Sequence, residues 1–234
     1  MTITLSTLLQ SFFTERLMKQ RQASPHTIAS YRDTFRLLLT FAEKRLNKPP
    51  SKLILDDLNA PFIGAFLNHI ENSRHSGART RNLRLTAIRS FFQYAAFQEP
   101  DRSALIQRVL AIPSKRYERP LIDFLTHPEI QALLAAPENT TPTGRRDRAL
   151  LMLAIQTGLR LSELIRLRLR DIVLSTGAHV RCYGKGRKER CTPLTKQTVA
   201  VMKAWLKERG GSENDVVFPN ARGSQLSPDG VQYL

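Results

Sequence analysis

The chain has 234 residues, which is enough for one large domain or two ordinary ones. Its 36 Lys and Arg residues outnumber 20 Asp and Glu residues, so the formal net charge is +16 at pH 7. Such an excess favours a polyanionic partner over a merely basic soluble protein, with nucleic acid first and an acidic membrane surface second. Both halves of the chain carry the excess, which excludes a neutral domain with a basic tail.

Neither a membrane segment nor a metal site is visible in the sequence. No apolar run is long enough to span a bilayer, and the N-terminus lacks the positive region and cleavage site of a signal peptide. We therefore expect a cytoplasmic protein that binds no membrane and no small-molecule substrate. The five histidines are scattered, so no metal or cofactor is expected. Cys182 and Cys191 flank a predicted hairpin turn and could face each other, but without an export signal we expect free thiols.

Residues 1–99 contain four segments with helical periodicity. Ser24-Pro25 combines a capping side chain with a proline in the first turn, which is a strong helix start. The carboxylates of Asp56-Asp57 suit a helix N-terminus. Four helices in so short a stretch predict a small bundle. The segments run from Leu5 to about Lys19, from Pro25 to about Arg45, from near Asp56 onward, and from Gly77 through Ala95.

The fourth of these segments has a basic face. No acidic residue lies between positions 78 and 98, while Leu83 is predicted to point inward. An unpaired basic helix face is either a surface that contacts DNA phosphates or simply a solvated face, and the basic neighbouring helices favour DNA. The basic residues of this face are Arg79, Arg81, Arg84 and Arg89.

Residues 100–124 predict an extended linker between two domains, because prolines punctuate them at 100, 113 and 120. Lys115, Arg116 and Arg119 could cross a DNA backbone as the chain passes from one domain to the next. The linker would separate a helical bundle, residues 1–99, from a second domain, residues 125–234.

The second domain begins with a capping box from Thr126 to Glu129. A buried helix is predicted from Arg145 to Gln156, and Gly158 ends it. A short helix follows Arg160. Three strands are predicted next, then helices that start at Thr195 and Ser227; the strands are Asp171–Leu174, His179–Tyr183 and Glu189–Leu194. The whole chain is thus predicted to be mainly α with a small antiparallel sheet (α+β).

Two basic residues are candidates for phosphate chemistry. Arg160 lies where one helix ends and another begins, and a guanidinium can bind phosphate oxygens bidentately. Glu163 could hold that arginine in one rotamer, so a purely structural Arg–Glu pair is equally consistent with the spacing. Lys185 lies between two glycines in a predicted hairpin turn, where a lysine with a lowered pKa could donate a proton; an ordinary exposed turn lysine is the alternative. The nearby Arg187, Lys188 and Arg190 are predicted to contact the duplex backbone.

The motifs TGLRLSEL and GKGRKER, followed by LTKQTVAVMKAWL and VVFPNARGSQLSPDGVQYL, resemble those of tyrosine recombinases of the phage integrase and Xer type. HTIASYRDTFRLLLTFA and TRNLRLTAIRSFFQYA resemble the SAM-like core-binding domain of that family. The resemblance implies that Arg160 is the first catalytic arginine, that Lys185 protonates the leaving 5′ oxygen and that Glu163 supports the site. It also implies metal-free cleavage through a 3′-phosphotyrosyl link, double-stranded DNA as partner, and a recombinase oligomer, a tetramer on DNA in the family.

The chain departs from the family pattern at its C-terminal end. The family's His-x-x-Arg pair and tyrosine nucleophile would lie beyond the position that matches Leu234. Tyr233 matches a helix that precedes the second arginine and is therefore not a credible nucleophile. We expect a catalytic domain that is incomplete and inactive alone. Two alternatives stay open: a non-catalytic DNA-binding regulator, and a protein that pairs with full-length recombinase subunits and inhibits them.

Overall fold

The computed structural model describes residues 4–118, 121, 123–184 and 189–234. The chain forms two compact units, unit 1 (Met1–Leu121) and unit 2 (Ile122–Leu234). Helices dominate both units, and unit 2 adds a small antiparallel sheet. The predicted fold class is thereby confirmed. No helix in the described ranges combines the length and the apolarity that a bilayer span requires.

Unit 1 is a helical bundle whose first long helix starts where the sequence predicts. Ser24 caps it by accepting a hydrogen bond of 3.2 Å from the Thr27 amide, and Pro25 occupies the first turn. The first helical segment changes to a π-helix over Phe12–Gln20. The α-helices of the unit are α1 (Leu5–Ser11), α2 (Pro25–Leu46), α3 (Ala60–Asn72), α4 (Ala78–Gln98) and α5 (Ser103–Leu110).

Aromatic rings form the centre of unit 1. The ring centroids of Phe12 and Phe91 are 5.6 Å apart, and those of Phe35 and Phe91 are 5.3 Å apart, both with edge-to-face geometry. All three side chains are almost fully buried. The prediction that Leu83 points inward is wrong, because it is 58% exposed and Leu85 is buried instead. The core therefore follows a slightly rotated stripe of α4.

Two predicted element boundaries in unit 1 need correction. Asp56-Asp57 do not begin the third helix; they lie in a short 3-10 turn, and α3 starts after Asn59, whose side chain accepts from the Phe62 amide at 3.0 Å. The extended linker predicted for residues 100–124 is also wrong over α5. Ile106 and Val109 of α5 are fully buried in the core of unit 1, because their spacing of three residues lines one helix face.

Unit 2 combines five stretches of α-helix in the described ranges with the sheet. The sheet has the order β1-β2-β3, all antiparallel, so β3 is an edge strand, where a proline such as Pro193 is tolerated. The described elements are α6 (His127–Ala135), α7 (Pro142–Thr157), α8 (Leu161–Leu164), β1 (Ile172–Val173), β2 (His179–Tyr183), β3 (Glu189–Pro193), α9 (Lys196–Arg209) and α10 (Pro228–Gln232).

The core of unit 2 lies between α7, α9 and the sheet. Trp205 of α9 is 6% exposed, and its indole N–H donates to the Val217 carbonyl at 2.9 Å. That bond fixes the irregular segment around Val217 against the helix. In this core α7 packs against α9, and the candidate site begins directly after the end of α7.

The aromatic centre of unit 1 can be tested by removing one ring. We expect Phe91→Ala to lower the free energy of unfolding by about 3–5 kcal/mol, because the buried ring leaves a cavity among its aromatic neighbours. Phe97→Ala is the matched control on the same helix, since Phe97 is 81% exposed. Chemical denaturation of both variants measures the difference, and equal losses would contradict the described core.

Candidate functional site

Arg160 lies at the sharp junction between α7 and α8. Gly158 ends α7 in the left-handed conformation, with φ of +60°, which glycine adopts without a steric cost. Arg160 itself is extended, with φ of −65° and ψ of 149°, and precedes the first turn of α8. Its side chain remains 59% exposed. The junction thus presents the guanidinium to solvent beside the N-terminus of a short helix.

The buried carboxylate of Glu163 fixes Arg160 through two hydrogen bonds. Its side chain is only 4% exposed. One carboxylate oxygen accepts from the Arg160 guanidinium at 2.9 Å, and the other accepts from the Arg160 backbone amide at 2.8 Å. Both bonds fix the residue that the sequence singled out. The predicted Arg160–Glu163 pair is therefore present.

A second guanidinium reaches the same carboxylate. Arg190 of β3 donates to Glu163 at 2.9 Å, on the oxygen that also accepts from the Arg160 amide. The sequence predicts a contact between Arg190 and the duplex backbone, and it gives no indication of this bond to Glu163. The signal that could have found it is the alternation of β3, which puts Arg190 on the same sheet face as the buried Cys182.

The electrostatics of Glu163 follow from these contacts. Burial alone would raise the pKa of the Glu163 carboxyl. The hydrogen bonds from Arg160 and the charges of Arg190 and Arg160 outweigh burial and hold that pKa below its ordinary value. The carboxylate therefore stays ionised at neutral pH between two guanidiniums.

Lys185, Arg187 and Lys188 lie outside the described residues, as does Arg119 of the predicted linker. The two strands that lead into the hairpin turn are described: β2 ends at Tyr183 and β3 begins at Glu189, and these two residues pair with each other. The role predicted for Lys185 remains a prediction.

The predicted basic face of α4 is not unpaired. Its acidic partners come from other helices: Arg81 lies 3.3 Å from Glu71 of α3, and Arg84 lies 2.5 Å from Asp33 of α2. Arg81 is also 7% exposed. The premise of an unpaired face is therefore wrong for Arg81 and Arg84, because spacing along one helix reveals only the acids of that helix.

Arg89 and the polar residue Asn82 bind the segment that follows α5. Arg89 donates to the Ile112 carbonyl and to the Ser114 hydroxyl. Asn82 donates to the Lys115 carbonyl at 2.7 Å and accepts from the Lys115 amide at 2.9 Å. These bonds hold residues 112–115, the middle of the predicted linker, against α4.

Lys115 is part of the same arrangement. Its ammonium group donates to both carboxylate oxygens of Glu71, at 3.0 and 2.8 Å. Glu71 thus bridges Lys115 and Arg81. Of the described residues that are predicted to bind DNA in this unit, three are exposed: Arg79, Lys115 and Arg116. Arg81, Arg84 and Arg89 are less exposed and bind other parts of the unit.

The two cysteines do not face each other. In the register of β2 and β3, Cys191 pairs with Arg181, whereas Cys182 pairs with Arg190. Cys182 is buried and Cys191 is exposed on the opposite sheet face, and both are free. Burial raises the pKa of the Cys182 thiol, while the charge of Arg190 opposes it. No cluster of three His, Cys, Asp or Glu residues suited to a metal is found in the described part of the chain.

Known proteins that are similar to this chain show the family to which it belongs. The phage integrase family matches residues 123–233, and the phage integrase N-terminal SAM-like domain matches residues 11–99. A Sinorhizobium fredii protein named a candidate integrase/recombinase, y4rC, is 61% identical over 98% of this chain and 69% of its own length. The tyrosine recombinase XerC of Pelotomaculum thermopropionicum is 33% identical over 93% of this chain and 72% of its own. The chain belongs to the phage integrase family of tyrosine recombinases.

Solved recombinases share the fold. The XerH site-specific recombinase bound to palindromic difH substrate superposes with a TM-score of 0.67 at 24% identity over 96% of this chain. A lambda integrase dimer bound to a COC' core site gives 0.69 at 19% identity over 98% of this chain. This chain spans 64% of the XerH chain and 78% of the lambda integrase chain.

The buried Glu163 carboxylate makes the stability of unit 2 dependent on pH. Its folded pKa is depressed, so its contribution is present above the unfolded pKa and is lost as the pH falls through the folded pKa. We expect Glu163→Gln to cost about 1–3 kcal/mol of unfolding free energy at neutral pH, because two guanidiniums lose a charged acceptor. The cost should shrink as the pH falls below the ordinary glutamate pKa and through the depressed folded pKa of Glu163, because the wild-type carboxyl then becomes protonated.

Chemical denaturation across this pH range measures the effect. Glu189→Gln is the matched control, because Glu189 pairs with Arg181 at the surface and is 48% exposed. Exposed pairs contribute little. A cost for Glu163→Gln that is independent of pH would contradict the ionised, buried carboxylate.

Proposed function

We propose that the chain binds double-stranded DNA and grips a backbone phosphate with Arg160. The observation that supports this most strongly is that the Arg160 guanidinium is 59% exposed and is nevertheless fixed by its ion pair with the buried Glu163 carboxylate. Exposure leaves donors free for phosphate oxygens, and fixation lowers the entropy lost on binding. The net charge of +16 supplies the long-range attraction to DNA.

The proposed reaction is site-specific DNA recombination by the tyrosine recombinase mechanism. Arg160 neutralises charge on the scissile phosphate, Glu163 fixes Arg160, and Lys185 protonates the leaving 5′ oxygen. A tyrosine attacks the phosphodiester and the bond energy is kept in a 3′-phosphotyrosyl link until a 5′-hydroxyl reverses it. Family membership supports these assignments. No step of this reaction requires a metal.

The proposed DNA surface contains only some of the basic residues that the sequence predicts to bind DNA. Arg79 and Arg116 are exposed, and we assign them to phosphate contacts in unit 1. Lys115 stays exposed and Arg84 stays partly exposed beside their acidic partners, whereas Arg81 and Arg89 mainly bind other parts of unit 1. Arg119, Arg187 and Lys188 belong to the proposed DNA surface by sequence alone. We also propose that the chain assembles with further recombinase subunits on DNA and that it is located in the cytoplasm.

A second candidate function is DNA binding without chemistry, including inhibition of full-length recombinase subunits in trans. The observation that favours it is that Tyr233 matches a family helix that precedes the second arginine and therefore does not match the family nucleophile. Tyr233 lies at the end of the short helix α10, remote in sequence from Arg160. If Lys185→Ala binds DNA as well as the wild-type protein, the result supports this second function. A loss of DNA binding in Lys185→Ala would contradict it, because the lysine would then act at the phosphate.

DNA binding should depend steeply on salt. We expect affinity for a duplex of mixed sequence to fall by orders of magnitude between about 50 and 200 mM salt, because bound counterions are released. Arg160→Ala should weaken binding about tenfold and lower the salt slope by about one. Fluorescence anisotropy measures both values. Lys203→Ala on α9 removes the same charge from an exposed position, and an equal effect of the two variants would contradict a specific phosphate grip.

The chain alone should form no covalent link to DNA. Incubation of the 234-residue chain with a nicked or intact duplex, followed by denaturing electrophoresis, should leave all DNA free of protein, because Tyr233 matches a helix that precedes the family's second arginine and not the family nucleophile. Full-length XerC-type recombinase is the positive control. A band that survives denaturant and disappears in Tyr233→Phe would overturn this expectation.

A further inference from the structure

The direction of the Arg190 side chain distinguishes it from the basic residues around it. Side chains alternate between the two faces of a strand. Along β2 and β3, Cys182 is buried opposite Arg190, whereas Arg181 is exposed opposite Cys191. Arg190 therefore projects on the covered face of the sheet, and Arg181 projects on the open face.

On the covered face Arg190 meets Glu163. The Arg190 guanidinium donates to the buried carboxylate at 2.9 Å while its own side chain stays 40% exposed. The charge of Arg190 also opposes the effect of burial on the neighbouring Cys182 thiol. Arg160, Glu163 and Arg190 thus form a group of two cations and one anion with a net charge of +1.

We infer that Arg190 is a positioning residue of the phosphate site, which shares the Glu163 carboxylate so that the Arg160 guanidinium remains available to DNA. The inference rests on the proposed function, since it concerns the same site. It replaces the assignment of Arg190 to the duplex backbone. Through its bond to Glu163, Arg190 also connects β3, the strand that follows the hairpin turn, to the α7–α8 junction.

The physical reason is competition for one carboxylate. Without Arg190, Glu163 and Arg160 form a neutral pair, and phosphate has to compete with a full negative charge that lies beside the guanidinium. With Arg190 present, that charge is divided between two donors. A hydrogen bond to a charged group corresponds to a factor of about ten or more in affinity, so loss of Arg190 should be felt at Arg160.

A double-mutant cycle tests this coupling with wild-type protein, Arg160→Ala, Arg190→Ala and the double variant. Affinity for a duplex of mixed sequence is measured by anisotropy over a range of salt. We expect Arg190→Ala to weaken binding about tenfold in the wild-type background and less than about twofold in the Arg160→Ala background. The double variant should therefore bind almost as well as Arg160→Ala alone.

Arg181→Ala is the matched control, because it removes the same charge from the neighbouring strand on the opposite face. It is 47% exposed and pairs with Glu189 at 3.2 Å. We expect it to have the same small effect in both backgrounds. Arg190→Lys should recover most of the lost affinity, since it returns a cation to Glu163. If Arg190→Ala lowers the melting temperature enough to prevent measurement, Arg190→Gln is read in its place.

A carboxyl titration by NMR provides a second readout that bulk unfolding does not move. The pKa of Glu163 should rise in Arg190→Ala and remain unchanged in Arg181→Ala. Additive effects of Arg160→Ala and Arg190→Ala, with a salt slope lowered by about one for Arg190→Ala alone, would overturn the inference in favour of a direct duplex contact. Wild-type protein that binds DNA without a steep salt dependence would instead refute the proposed function.

Discussion

The candidate site depends on one buried charge. A carboxylate that is 4% exposed is costly unless it is paired and hydrogen-bonded. Glu163 meets this requirement with Arg160 at the helix junction and Arg190 on the sheet. Because both partners must reach the same two oxygens, the end of α7, the first turn of α8 and the register of β3 constrain one another. The exposed guanidinium is a consequence of this arrangement.

Unit 1 uses its basic residues in a different way. The arginines of α4 are largely ties that connect this helix to α2, to α3 and to the chain after α5. Glu71 is the centre of one such group, because it accepts from Lys115 and lies against Arg81. A strongly basic composition therefore overstates the cationic surface that is open to a duplex. The arginines that remain exposed in the described part of this unit include Arg79 and Arg116.

Local signals predicted local structure well. Ser24, Thr126 and Thr195 each cap the helix expected after them, and Gly158 adopts the conformation that ends α7. Hairpin strands with alternating burial appear at the expected positions. The linker was harder to predict, because three prolines suggested an extended chain. The apolar spacing of α5 between Pro100 and Pro113 determined the outcome there, since its buried face packs on α4.

The sequence by itself determined most of the helices and their caps, the strands of the hairpin, the family and the Arg160–Glu163 pair, because these depend on residues that are close together along the chain. Only the tertiary structure decided which acid each arginine meets. Arg190 and Glu163 are 27 positions apart, and Arg84 and the Thr34 hydroxyl beside Asp33 are 50 apart. Such pairs form when packed elements bring their side chains together, and the energy of ion pairing depends on that distance and on burial.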